Sequence, residues 1–213
     1  MFKSEFKILL AHGAGANKDS DWMQQMDQLI SAKDLTVFRF DFPYMRQRLI
    51  DGKRRPPDRM PRLIDDFNQQ IKQLKESQRL LPTDKLILAG KSMGGRVASL
   101  LATESAPDFK LEFKISGLIA FGFPFHPANK PEKFRGEHLA HISIPTLILQ
   151  GERDSMGKPN EIEGHALSKQ VCVEYLADGD HSFKPRVKSG LTLADNLQTA
   201  ADKVADFIFT LDD

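Results

Sequence analysis

The sequence predicts an α/β fold: a three-layer α/β/α sandwich on a mostly parallel six-stranded sheet, in one domain spanning residues 1–213. Three observations point there. Short, almost wholly apolar runs recur along the chain, stretches of helical periodicity separate them, and residues able to do chemistry collect in the loops that follow the runs. The length suffices to bury a substantial core without disulfides or structural metal.

The first strand is Ile8 to Ala11, apolar on both faces and stopped by His12-Gly13-Ala14-Gly15-Ala16. A helix follows, from Asp19 or Ser20 as cap to about Ala32, with Trp22, Met26, Leu29 and Ile30 at helical spacing. Leu35 to Phe40 is the second strand, and its polar Thr36 and Arg39 place it nearer the sheet edge. Between Met45 and Arg62 seven cations meet only Asp51 and Asp58, and with three prolines this segment reads as a basic loop. Leu63, Ile64, Phe67, Ile71 and Leu74 then mark an amphipathic helix.

Leu86 to Gly90 is the third strand, and a helix runs from Met93 towards Pro107. Gly117 to Phe121 is the fourth strand, followed by a polar stretch with a helix around Pro131 to Leu139. Ile144 to Leu149 is the fifth, with a helix expected between about Glu161 and Gln170. Val171 to Leu176 is the last strand. Leu193, Leu197, Ala201, Val204, Ile208 and Leu211 close the chain as a long amphipathic helix.

Composition excludes several function classes. A net charge of +1 gives no overall attraction for nucleic acid or an anionic membrane, and the basic segment lacks interleaved aromatics. The lone Cys172 rules out an intramolecular disulfide and a cysteine metal cluster, and its apolar neighbours predict a buried thiol. Met1 to Lys7 has neither the apolar region nor the cleavage site of a signal peptide, and no stretch approaches a membrane span, so a cytoplasmic location is expected.

The chemistry centres on Gly90-Lys91-Ser92-Met93-Gly94. A strand reversing sharply into a helix brings backbones too close for side chains at the two glycines, and it holds a strained serine exposed at the strand's carboxyl end. A serine hydroxyl needs a histidine base, and the histidine needs a carboxylate to fix its tautomer. His181, after the last strand, and Asp154, after the fifth, follow Ser92 in the order this fold permits. Asp180 and Glu152 are the competing carboxylates: Asp180 adjoins His181 and should point away, and Glu152 lies too near the strand end. His126 is the competing base. Backbone N–H groups of Met93 and Ala14 are the candidate oxyanion donors. His12, Tyr44, Lys91 and His126 complete the rim as candidate substrate contacts, with His12 also orienting its loop.

These residues resemble the α/β-hydrolase superfamily, within it a compact group of serine hydrolases related to dienelactone hydrolases. The resemblance rests on His12-Gly13-Ala14-Gly15, Gly90-Lys91-Ser92-Met93-Gly94-Gly95-Arg96, Gly151-Glu152-Arg153-Asp154 and Asp178-Gly179-Asp180-His181-Ser182-Phe183. It implies a serine hydrolase of minimal type without a lid domain, in which Ser92, Asp154 and His181 act as nucleophile, acid and base. The substrate implied is a small ester or thioester, with no metal or organic cofactor. Leading antiparallel strands are missing or reduced to Met1 to Phe6. Lys91 stands where many esterases have histidine, and Ser92 where dienelactone hydrolases have cysteine. The basic loop lies on the rim with Ser92, where two readings stand: it favours an anionic acyl substrate, such as a carboxylated ester or a coenzyme A thioester, or it is a solvated arginine-rich loop tied to surface acids; the oligomeric state is left open. The competing reading is a non-catalytic binding or scaffold protein that kept the fold.

Overall fold

A computed structural model describes residues 5–104 and 115–211. Six strands, β1 (Phe6–Ala11), β2 (Thr36–Phe40), β3 (Lys85–Lys91), β4 (Ile115–Phe121), β5 (Thr146–Gly151) and β6 (Val171–Leu176), form one sheet in the order β2-β1-β3-β4-β5-β6. Every neighbouring pair is parallel. The chain moves from β1 out to the edge strand β2, then returns past β1 to β3. That reversal opens a crevice at the carboxyl ends of β1 and β3, where sheets of this kind bind ligands. The pairing of Ala11 with Gly90 sets the His12–Gly15 loop beside Ser92.

Alternate residues of the strands feed two cores. Ile8, Leu10, Ile87, Ala89, Ile119 and Phe121 face α1 (Asp21–Ser31) and α6 (Leu193–Phe209). Leu9, Leu86, Leu88, Leu118 and Ala120 face α3 (Met60–Glu76) and α4 (Met93–Glu104). Apolar faces at 3.6-residue spacing explain the helices: Met23, Met26 and Ile30 on α1, Leu63, Phe67, Ile71 and Leu74 on α3. At the start of α6, Thr192 and Asp195 form a reciprocal capping box.

Four expectations are corrected. The first half of the Met45–Arg62 loop belongs to a helix, α2 (Pro43–Asp51), with Pro43 in its first turn and Gly52 ending it at φ +69°. Tyr44 and Met45 anchor α2 in the core, and the loop proper is what lies between Asp51 and α3. The helix expected around Pro131–Leu139 is only a 3-10 turn at Glu137–His141. The one expected over Glu161–Gln170 is α5, a single turn at Pro159–Ile162 in which only Ile162 is buried. Both segments lack the repeated apolar face that docks a longer helix. Finally, Cys172 is exposed. It lies on the edge strand β6, on the same face as Glu174, whose carboxylate pairs with Lys203 of α6, so this face of β6 is rim rather than core.

The helix end expected near Pro107 and the residues Met1–Ser4 lie outside the described residues. Among the described residues no helix is long and apolar enough to cross a membrane.

Candidate active site

Ser92 occupies the turn between β3 and α4 at φ +50°, a left-handed conformation that costs a non-glycine residue energy. The flanking glycines allow it. A Cβ on Gly90 would lie 2.2 Å from the carbonyl carbon of Gly94, and one on Gly94 would lie 2.6 Å from the Ala11 oxygen. The Ser92 N–H donates to the Phe121 oxygen at 2.9 Å, tying the turn to β4.

The loop after β6 brings His181 to this turn. Its Nε2 lies 2.8 Å from Ser92 Oγ, and its Nδ1 lies 2.7 Å from Asp154 Oδ2. With the Nδ1 proton donated to the carboxylate, the Nε2 lone pair is left to accept the serine hydroxyl. Asp154 is fully buried, which a carboxylate tolerates only with donors around it. Gln150 Nε2 supplies one at 2.8 Å on Oδ2, and the Met156 N–H another at 2.8 Å on Oδ1. The competing carboxylates are engaged elsewhere. Asp180 accepts from the N–H groups of Ser182 and Lys184, and Glu152 from that of Asp178.

Lys91 is turned inward, which corrects its assignment as a substrate contact. Its ammonium donates to the His181 carbonyl oxygen and packs 5.4 Å from the Trp22 ring and 5.5 Å from the Phe183 ring. Burial pushes its pKa down to about 8, against the pull of Asp154 and Asp180. Gly122, at φ +62°, makes room for this arrangement, since a Cβ there would sit 2.8 Å from both the His181 oxygen and Lys91 Nζ.

The other rim residues also serve the loops. His12 is fully buried: Nδ1–H donates to the Gly13 oxygen at 2.6 Å, and Nε2 accepts the Phe42 N–H at 3.1 Å. These bonds define a neutral imidazole, and burial lowers its pKa further. Tyr44 donates its hydroxyl to the Ala14 oxygen at 3.1 Å, and burial raises its pKa. His126 is buried between the Pro127 carbonyl and the Glu161 carboxylate, a packing role instead of the expected substrate contact.

The candidate oxyanion donors follow from the same geometry. The Ser92 N–H is already bonded, whereas Met93 opens α4 and its N–H belongs to the unpaired first turn. Ala14 follows Gly13, where a Cβ would stand 3.6 Å from Ser92 Cβ, so this loop runs against the serine. Sequence reasoning missed Gln150 and Asn196. The visible signal was a lone polar residue in each apolar pattern. Gln150 near the end of β5 orients Asp154, and Asn196 on the buried face of α6 donates to the oxygens of Ala177 and Phe183 in the His181 loop. Among the described residues no group of three His, Cys, Asp or Glu side chains is placed to hold a metal ion.

An all-parallel sheet carrying a serine at this turn defines the class, and the chain belongs to the α/β-hydrolase family: the family model for the alpha/beta hydrolase domain matches residues 4–209. Solved structures share the fold. An alpha-beta serine hydrolase homologue from Coxiella burnetii is 16% identical with a TM-score of 0.66, over 96% of this chain and 85% of that one. A dienelactone hydrolase from Anabaena variabilis is 19% identical with a TM-score of 0.68, over 97% and 87%. Est1E from Butyrivibrio proteoclasticus is 15% identical with a TM-score of 0.65, over 98% and 88%. No curated protein matches the chain.

Proposed function

We propose that this hydrolase cleaves a small ester or thioester through an acyl-enzyme formed on Ser92. The observation that carries the reading is the continuous chain of bonds from Ser92 Oγ through His181 to Asp154, at 2.8 and 2.7 Å, on a strained turn at the crevice.

His181 Nε2 takes the Ser92 proton as Oγ bonds to the acyl carbon, and Asp154 stabilises the imidazolium that forms. The oxygen of the tetrahedral intermediate receives the N–H groups of Met93 and Ala14. Collapse breaks the bond to the leaving oxygen or sulfur, which receives the proton from His181. Water then attacks the acyl-enzyme and gives one proton to His181, which returns it to Ser92 as the acid departs.

Reaction with a fluorophosphonate probe tests the assignment. Wild-type protein is expected to be labelled at Ser92, and Ser92→Ala to lose labelling together with at least roughly 10⁴-fold in esterase rate. Labelling retained in Ser92→Ala identifies a different nucleophile. A folded wild type that is never labelled favours the non-catalytic binding protein.

A further inference from the structure

Between α2 and the first turn of α3 lies an open groove of about 700 Å³, lined by Tyr44, Arg46, Ile50, Arg55, Arg59 and Arg62 among others. We propose that this groove is a binding subsite for an anionic part of the substrate, a carboxylate- or phosphate-bearing organic group joined to the ester or thioester cut at Ser92. The inference rests on the serine hydrolase reading and names its substrate class.

Four guanidinium groups line the groove against one carboxylate, that of Asp58. Three are paired: Arg46 with Asp66, Arg55 with Asp51, and Arg62 with Asp58. Pairing with one carboxylate does not use up the five N–H donors of an arginine, and the side chains of Arg46 and Arg62 remain 44% and 67% exposed. The pairs therefore hold the guanidinium groups in place while leaving donors for a ligand. Arg59 is different. It is exposed and pairs with no acidic side chain among the described residues, and it stands at the N-cap of the 17-residue α3 without a side-chain cap. The positive end of that helix adds to the field.

The lining is also partly apolar. Ile50, one helical turn beyond Arg46 on α2, is 79% exposed, and Pro56 and Pro57 line the groove as well. Cations interspersed with apolar surface suit an organic anion better than a bare inorganic one. Position links the groove to the reaction. Tyr44 borders the groove, and its hydroxyl donates to the Ala14 oxygen in the loop that runs against Ser92.

The test uses two matched substrate pairs, separating the two anions. The nitrophenyl ester of butyrate is compared with the nitrophenyl monoester of glutarate. Butyryl-coenzyme A is compared with the butyryl thioester of N-acetylcysteamine. At low salt the anionic member of at least one pair is expected to have a kcat/KM about tenfold higher, through a lower KM, with the advantage shrinking at high salt. Arg59→Glu is expected to erase that ratio. Lys72→Glu, the same charge change further along α3, is expected to keep it. Equal kcat/KM within both pairs overturns the proposal, as does equal loss of the ratio in both variants.

Binding to Ser92→Ala separates this from failure of the hydrolase reading. Titration calorimetry with coenzyme A and with monomethyl glutarate needs no turnover. Heat from at least one of them, with affinity about tenfold weaker after adding Arg59→Glu, supports the subsite whatever the labelling result. Binding of neither overturns it.

Discussion

Lys91 brings a charge into the interior beside His181 and Asp154, and its titration should be measurable. The ammonium faces the His181 carbonyl and the rings of Trp22 and Phe183, with Asp154 and Asp180 as the charges acting on it. Burial lowers its pKa from 10.5 to about 8. Below pH 8 the amine is protonated in both folded and unfolded chains, and the burial penalty is carried in full. Between pH 8 and 10.5 the unfolded chain holds a proton that the folded chain lacks, so this group makes stability rise with pH. Lys91→Met removes the term. The melting temperature of wild type relative to Lys91→Met should rise by on the order of 5 °C between pH 7 and pH 10. An offset that stays constant over that range would show that the amine does not titrate there. Ser92, Asp154 and His181 were legible in the sequence because each follows a recognisable strand. The inward turn of Lys91 was not, since the rings enclosing it come from α1 and the loop after β6.

At the scale of elements, the turn at Ser92 depends on how closely α4 approaches the end of β1. A Cβ on Gly94 would lie 2.6 Å from the Ala11 oxygen and 2.7 Å from the His12 oxygen, backbone atoms that can yield only by moving the loop that carries Ala14. Gly94→Ala should cost roughly 1–3 kcal/mol in urea unfolding and about 10²-fold in kcat, because a displacement near 1 Å would misalign the candidate oxyanion donors. Gly15→Ala, in the same loop, meets nothing within 4 Å and should stay within about 0.5 kcal/mol of wild type. Equal effects from both would count against close approach as the reason for Gly94. All six strands were visible as apolar runs, as were α1, α3, α4 and α6 through their periodic faces. The elements misread were those without such a face. α2 is amphipathic only at Tyr44 and Met45, and its real signature, Pro43 at the start and Gly52 at the end, was hidden by the run of arginines. α5 is too short to have a period.

At the scale of the molecule, both cores hang on the same strands. Leu86 and Leu88 of β3 pack towards α3 and α4, while the intervening Ile87 and Ala89 pack towards α1 and α6. Neither helical layer can leave without exposing one face of a strand whose other face is still buried, so the two should unfold together as one domain. Phe67 of α3 and Leu197 of α6 are both fully buried, on opposite faces. Phe67→Ala should cost about 3–5 kcal/mol and Leu197→Ala about 2–5 kcal/mol. With the sheet between them and no shared partner, the double variant should match the sum within about 0.5 kcal/mol. Trp22, the only tryptophan, packs against Phe121 and Phe183 and so reports the α1 and α6 face alone, whereas far-ultraviolet circular dichroism reports every helix. In urea the two signals should share one midpoint in wild type and in Phe67→Ala. If Phe67→Ala lowers the circular dichroism midpoint and leaves that of Trp22 fluorescence in place, the layers unfold separately. The sheet would then join two cooperative units, and the single-domain reading would fail.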